Sequence, residues 1–233
     1  MVQLNQRQAR VLSDEICAVS SLVRHGIRIV EGYRMADYDA EPAIVCLAGG
    51  AEKLLKLTLG LNELGSRGTW LEEKRMRSFG HKIDALDEHI RKMVEARIEQ
   101  HHSVAHLRQV LNRVDANPYV KPILQTLTTY ANQGRYYNLD TLARGSLTDQ
   151  SPAELWEELH EKILDANPGI LRKIAELNDE GRKGLNEEIK NAFCVWVEYL
   201  AQFWRIGFFG REAQRWASQL DLHAIAGREH HVT

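Results

Sequence analysis

The sequence predicts an all-α protein, and three observations carry that prediction. Apolar residues recur at intervals of three and four, runs of alternating β-branched residues are scarce, and the 233 residues include only five prolines. With 44% hydrophobic and 27% charged residues the composition is that of an ordinary globular chain, long enough for one large or two small domains. A formal net charge of −2 gives no global attraction to nucleic acid or to an anionic membrane, so either would need a local patch.

A first helix is predicted over about 4–29, with Val11 or Leu12, Ile16, Val19, Val23 and Ile27 as its buried stripe. A second starts near Glu41-Pro42, where proline suits a first turn, and continues through IVCLAGGAEKLLKLTLGL. Gly49 and Gly50 in its middle cost about 1 kcal/mol each relative to alanine, a cost that close packing of another helix offsets. A loop at 65–69 and the charged run EEKRMR follow. Ile83, Leu86, Ile90, Val94 and Ile98 then make a third helix, broken or crossed at EQHHS (99–103) before Leu107, Val110, Leu111 and Val114 resume the stripe.

Pro118 opens a fourth helix, which Gly134 is placed to close in a left-handed conformation, and 135–150 reads as loop. Ser151, Pro152 and Glu154 supply an N-cap, a first-turn proline and an N3 glutamate for a fifth helix through Leu164. The tetrapeptide DANP, at 115–118 and again at 165–168, ends one helix and starts the next. A short helix at 170–180 and a long one at about 185–220 complete the chain. The aromatic stretch FCVWVEYLAQFWRIGFF (193–209) is interrupted by Glu198, Gln202 and Arg205 along one stripe. It therefore reads as a buried helix with one wet edge, filling a core or a dimer seam, and not as a membrane span.

Cys17, Cys46 and Cys194 each sit in an apolar context and read as reduced core cysteines of a cytoplasmic protein; the start MVQLNQRQARVL has no continuous apolar stretch of a secretory signal.

Three short motifs fall in a telling order. Ala51-Glu52-Lys53-Leu54-Leu55-Lys56 lies on the second helix, Gly80-His81-Lys82-Ile83 begins the third, and Gly134-Arg135-Tyr136-Tyr137 follows the fourth. This order resembles the HEPN superfamily of helical bundles, including its abortive-infection and toxin-type members, over about residues 40–142. The chain departs from the family pattern with Tyr137 in place of a proline and Lys82 in place of the commoner acid.

The resemblance implies a HEPN-like antiparallel bundle over 1–145, with 146–233 as a helical extension packing on the bundle or on a second subunit. It also implies a homodimer, RNA or a nucleotide as partner, a neutralising or defence-system protein as a further partner, and no cofactor or metal. Many members are metal-independent ribonucleases marked by an arginine followed four to six residues later by a histidine. Two pairs match: Arg75 with His81, and Arg97 with His102. In such chemistry the arginine stabilises charge on the phosphorane-like transition state and the histidine moves a proton. Glu52, Lys53, Arg135, Tyr136 and Tyr137 are the candidate ligand-binding residues, and a non-catalytic module using the Glu52/His81/Arg135 corner is the competing expectation.

A third possibility rests on spacing alone. Glu99 with His102, and Glu157 with His160, both repeat the Glu-x-x-His spacing of di-metal four-helix bundles, and Glu95, Glu99, His102 and His106 share a helix face. Against it, no glutamate lies between 100 and 154 to supply the intervening helix. Phosphate loops, Gly-x-Ser-x-Gly, paired zinc-ligand cysteines and His-Glu-x-x-His are absent.

Overall fold

The computed structural model describes residues 4–132, 134–145 and 150–220, and those residues form helices and turns with no strand. Helix α1 (Gln6–Glu31) is opened by a reciprocal cap, in which Asn5 Oδ1 accepts from the Gln8 amide at 2.9 Å and Gln8 Oε1 accepts from the Asn5 amide at 3.0 Å. Helix α2 (Ala36–Arg67) starts a turn and a half before the expected Glu41-Pro42, which leaves Pro42 exposed inside its second turn. It ends on Gly68, whose left-handed φ of 75° suits glycine.

The glycines of α2 have a packing role. A Cβ on Gly50 would meet the Val23 side chain at 2.8 Å, and one on Gly26 of α1 would meet Leu47 at 2.5 Å, so the two backbones approach closely. Around that seam Ile16, Val19, Val23, Leu47, Leu54 and Leu55 are buried. Each contributes about 1.5–3 kcal/mol of apolar burial. Val11, one of two candidates for the stripe, points to solvent while Leu12 is buried.

The charged run carries a short helix, α3 (Glu73–Ser78), and the expected third helix is divided near EQHHS into α4 (Ile83–Glu95), a 3₁₀ turn at Ile98–Gln100, and α5 (Val104–Asp115). Helix α6 (Val120–Asn132) comes next. Gly134 does not close it in a left-handed conformation; it stands in a 3₁₀ turn (Gly134–Tyr136), and its missing side chain makes room for Pro152. The stretch expected to be loop contains a helix, α7 (Tyr137–Arg144), capped by left-handed Gly145. Helix α8 (Pro152–Ala166) has the expected Ser151/Glu154 capping box, α9 spans Pro168–Ala175, and α10 spans Asp179–Arg205. The long last helix is thus shorter than expected; α11 (Arg211–Trp216) follows a turn built on Gly207 and Gly210.

Helix α2 is central: α1, α4, α6, α8 and α11 all pack against it, and α10 closes the core against α1, α5, α6 and α8. One apolar cluster takes residues from both sides of position 145, including Trp156, Phe193, Trp196, Tyr199, Phe203 and Trp204. The aromatic stretch therefore fills this chain's own core, with the wet edge marked by hydrogen bonds from Gln202 and Arg205 to Glu198. Among the described residues no helix is long and apolar enough to cross a membrane. All three cysteines are free, but Cys17 is exposed and Cys46 and Cys194 are only half-buried, so none of them is a core residue as expected.

Two polar arrangements lie within this core. Asp87, 4% exposed, accepts from Trp196 Nε1 at 2.8 Å and from Arg91 Nε at 2.6 Å, and Arg91 reaches on to Asp115 at 2.5 Å. At the other, the His160 ring packs edge-on to Tyr33 and against Trp156, and burial pushes its pKa down to about 4.

Replacing Asp87 by alanine leaves the buried indole N–H of Trp196 without a partner and leaves Arg91 with Asp115 alone. The expected cost is about 1–3 kcal/mol in urea unfolding, with Asp87→Asn losing less. The His160 ring makes stability depend on pH. Its folded pKa lies below the unfolded value, so stability is full above about 6.5 and falls as pH drops towards about 4. The loss is about 3 kcal/mol and His160→Gln removes it, read as unfolding midpoints across that range.

Candidate active site

The candidate residues distribute along α2. Glu41, Glu52 and Glu63 are eleven residues apart, three turns plus about 20°, so they share one face at intervals of about 16 Å. Each carboxylate organises a different group.

At the middle level Glu52 accepts from Lys56 at 2.7 Å and pairs with His81 Nδ1 at 3.0 and 3.1 Å. Burial pushes the Glu52 carboxyl up, but the Lys56 and His81 hydrogen bonds outweigh it and hold the group below its ordinary value. Lys53 turns the other way, to Glu15 of α1 at 2.5 Å. At the N-terminal level Glu41, Tyr130, Arg135, Tyr136 and Tyr137 line a cavity of about 210 Å³. Arg135 therefore stands at the height of Glu41, away from Glu52 and His81. At the C-terminal level Glu63 is shared by Arg67 at 3.1 Å and Arg75 at 3.4 Å. Arg75 and His81 are thus held by carboxylates about 16 Å apart along α2 and do not converge.

Arg97 and His101 instead meet on one ring, that of Phe208. After α4 ends, buried Ile98 pins the 3₁₀ turn and leaves Arg97 on one side and His101 and His102 on the other. Arg97 Nη2 donates to Asn62 Oδ1 at 2.8 Å, its Nε is buried without a partner, and its guanidinium carbon lies 4.8 Å from the Phe208 ring centre. The His101 ring lies 5.6 Å from the same Phe208 ring and 4.2 Å from His102. No carboxylate among the described residues pairs with Arg97, and burial draws its pKa down. It stays charged at neutral pH, with Nη1 uncommitted.

Phe208 is placed by a helix end. Beyond α10, left-handed Gly207 donates to Trp204 O at 2.9 Å and Phe208 donates to Phe203 O at 3.0 Å, a Schellman arrangement. The accompanying contact of that motif is the edge-on Phe203–Phe208 pair, centroids 5.1 Å apart. The turn is pressed onto α2 where Gly210 meets Gly65, since a Cβ on either would come within 3 Å of the other's backbone. Asn62, three residues before Gly65, is thereby brought next to the aromatic turn.

The two imidazoles are chemically distinct. The Ser103 amide donates to His101 Nδ1 at 3.1 Å, so neutral His101 carries its proton on Nε2 and its lone pair is occupied. Burial, then the charge of His102, push the His101 pKa down. His102 is exposed and makes no hydrogen bond with the described residues. Asn62, Phe208 and His101 were not singled out by the sequence. The first two reach Arg97 from 35 and 111 positions away, and only the Gly207-x-x-Gly210 spacing hints at the turn.

The Glu-x-x-His pairs lead elsewhere. Glu95 and Glu99 are both clamped by Arg108, and His160 is buried on α8. Among the described residues no group of three His, Cys, Asp or Glu side chains is arranged to hold a metal ion. No family model matches the chain, and neither a curated protein nor a solved structure matches it.

In a ring-proton NMR titration the His101 signal is expected to move at lower pH than a free imidazole, with the nitrogen shifts of an Nε2–H tautomer. His102→Ala removes the like charge and raises the His101 midpoint; an unchanged midpoint would contradict the coupling.

Proposed function

We propose that the protein acts on RNA as a metal-independent endoribonuclease of the HEPN-like kind, with Arg97 and His102 as its catalytic residues. One observation carries the reading: an arginine with no carboxylate partner among the described residues is held on the ring of Phe208, and His101, paired with His102, contacts the same ring. A phosphodiester supplies the missing anion. Arg97 Nη1 and the Nε2–H of His101 then face its non-bridging oxygens, where charge grows in the transition state. His102 takes the proton of the 2′-hydroxyl as that oxygen attacks phosphorus, and the 5′-oxygen departs with a proton from water or from the imidazolium. The products are a 2′,3′-cyclic phosphate and a 5′-hydroxyl. Phe208 keeps the guanidinium in place and offers a face for a neighbouring base.

A second reading, a non-catalytic module that captures RNA or a nucleotide, is favoured by the same stack, because a cation on a ring with one free edge binds phosphate whether or not a bond breaks. Arg75 and His81, each engaged with a carboxylate of α2, are assigned to the bundle's structure in either case.

The test is cleavage of end-labelled single-stranded RNAs with EDTA present. Wild-type protein is expected to leave cyclic-phosphate ends. Arg97→Ala and His102→Ala each lose about 10²–10⁴-fold in rate with circular dichroism unchanged, while His81→Ala keeps its rate. RNA retarded by wild type and released by Arg97→Ala, but not cut, would replace the nuclease with the binding module. Neither cutting nor retardation would remove both.

A further inference from the structure

The 3₁₀ turn after α6 is seated directly on the start of α8. A Cβ on Gly134 would meet Pro152 Cγ at 2.1 Å, and Pro152 is itself the first residue of a helix capped by buried Ser151. The backbone that carries Arg135 is thereby fixed, and it faces the second turn of α2, where Glu41 stands.

Between these elements lies the cavity of about 210 Å³. Ile44 and Pro152 give it an apolar floor, and Tyr130, Tyr136 and Tyr137 supply aromatic walls. Ile44 and Tyr130 are buried, whereas Tyr136 is exposed at the mouth.

The two charges of this cavity are opposite in sign and unpaired. Glu41 and Arg135 are both exposed, and neither makes an ion pair with the described residues. Both act on the buried Tyr130 hydroxyl. Burial pushes its pKa up, the charge of Glu41 pushes the same way, and that of Arg135 pushes it back. A carboxylate and a guanidinium that share one small cavity without closing on each other leave a gap with a negative pole and a positive one.

That polarity selects the occupant. A nucleotide would bring its phosphates against Glu41, and the cavity is smaller than the roughly 300–1,000 Å³ typical of sites for drug-sized ligands. A simple anion is repelled by Glu41 and a simple cation by Arg135, while an uncharged molecule leaves both poles unsatisfied. A small zwitterion satisfies both. Its carboxylate is a two-pronged partner for the guanidinium, and its ammonium sits between Glu41 and the tyrosine faces. An uncharged side chain then lies on Ile44 and Pro152.

We infer that this cavity binds a free α-amino acid with an apolar side chain, Arg135 taking its carboxylate and Glu41 its ammonium. This is a different class of ligand from the nucleotide that the resemblance implies for Arg135, Tyr136 and Tyr137. The inference does not rest on the RNA reading, because Glu41 is 21 residues from Asn62, about 30 Å along α2, and the two sites are separate.

Isothermal titration calorimetry of the full chain with L-leucine, L-methionine and L-phenylalanine tests it. At least one is expected to bind. Its analogues lacking only the amino group or only the carboxylate bind about 10–100-fold more weakly. Crossing these ligands with protein variants assigns the poles. Glu41→Gln no longer distinguishes the amino acid from the analogue without the amino group, and Arg135→Gln no longer distinguishes it from the one without the carboxylate. Loss of folding would not produce that pattern. Arg97→Ala keeps the wild-type affinity. Absence of binding by all three amino acids at millimolar concentration overturns the inference, as does an analogue that binds wild type as tightly as its parent. Binding of AMP in place of the amino acids overturns it equally and returns the nucleotide to this cavity.

Discussion

The close seam between α1 and α2 is the constraint on which the rest depends. Gly26 and Gly50 each give up a side chain so that Leu47 and Val23 can sit against the opposite backbone. Two mid-helix glycines cost about 2 kcal/mol in helix propensity, and the tight apolar contact they admit offsets it. Held this way, a helix of 32 residues becomes a rigid axis with α1 on one side and α4, α6, α8 and α11 around it. Thr58, buried on α2, shows how far that registration extends. It donates to Leu54 O at 2.8 Å and accepts from Trp204 Nε1 at 2.9 Å, fixing α10 lengthwise against the axis.

From that lengthwise registration the Arg97 cluster follows. Once Trp204 is set on Thr58, the Schellman turn a few residues on comes down on the last turns of α2, where Gly65 and Gly210 accept each other's backbone. Phe208 is thereby delivered beside Asn62, and the 3₁₀ turn anchored by Ile98 brings Arg97 and His101 to the same ring. Three segments far apart in sequence meet because each is independently tied to α2 or to the helix packed on it. Side chains supported in that way hold an orientation that residues on a free loop would not.

Much of the helical order was legible in the sequence, because it is written in local signals. The Ser151/Glu154 box, the apolar stripes of α1 and α4 and the DANP junctions each act within a few residues of themselves. What was misjudged has a tertiary cause. Gly134 looked like a helix terminator, yet its lack of a side chain serves Pro152 from α8. Helix α7 looked like loop because its apolar residues anchor nothing in the chain's own core. The long final helix was cut short at Gly207, where aromatic packing won over a continuing apolar run. In the site, Arg97 and His102 carried a recognisable spacing, while Asn62 and Phe208 carried none, since a hydrogen bond and a ring contact across the fold leave no trace in local pattern.

The treatment of charge separates Arg97 from other arginines of the bundle. Arg75, Arg77, Arg91, Arg108 and Arg182 each have a carboxylate within 3.4 Å. Arg97 is half-buried, so a carboxylate would help it more than it helps an exposed arginine, and Glu63 stands one residue from the amide it uses. A rotation of α2 by 100° would supply the anion, but α2 cannot rotate without breaking the glycine seam and the Thr58–Trp204 bond. Among the described residues the fold therefore holds a cation beside a neutral amide and an aromatic ring with no carboxylate to pair with it. On the reading proposed above, the phosphate of a bound RNA is the other half of that ion pair, a role that the planar, two-pronged guanidinium suits.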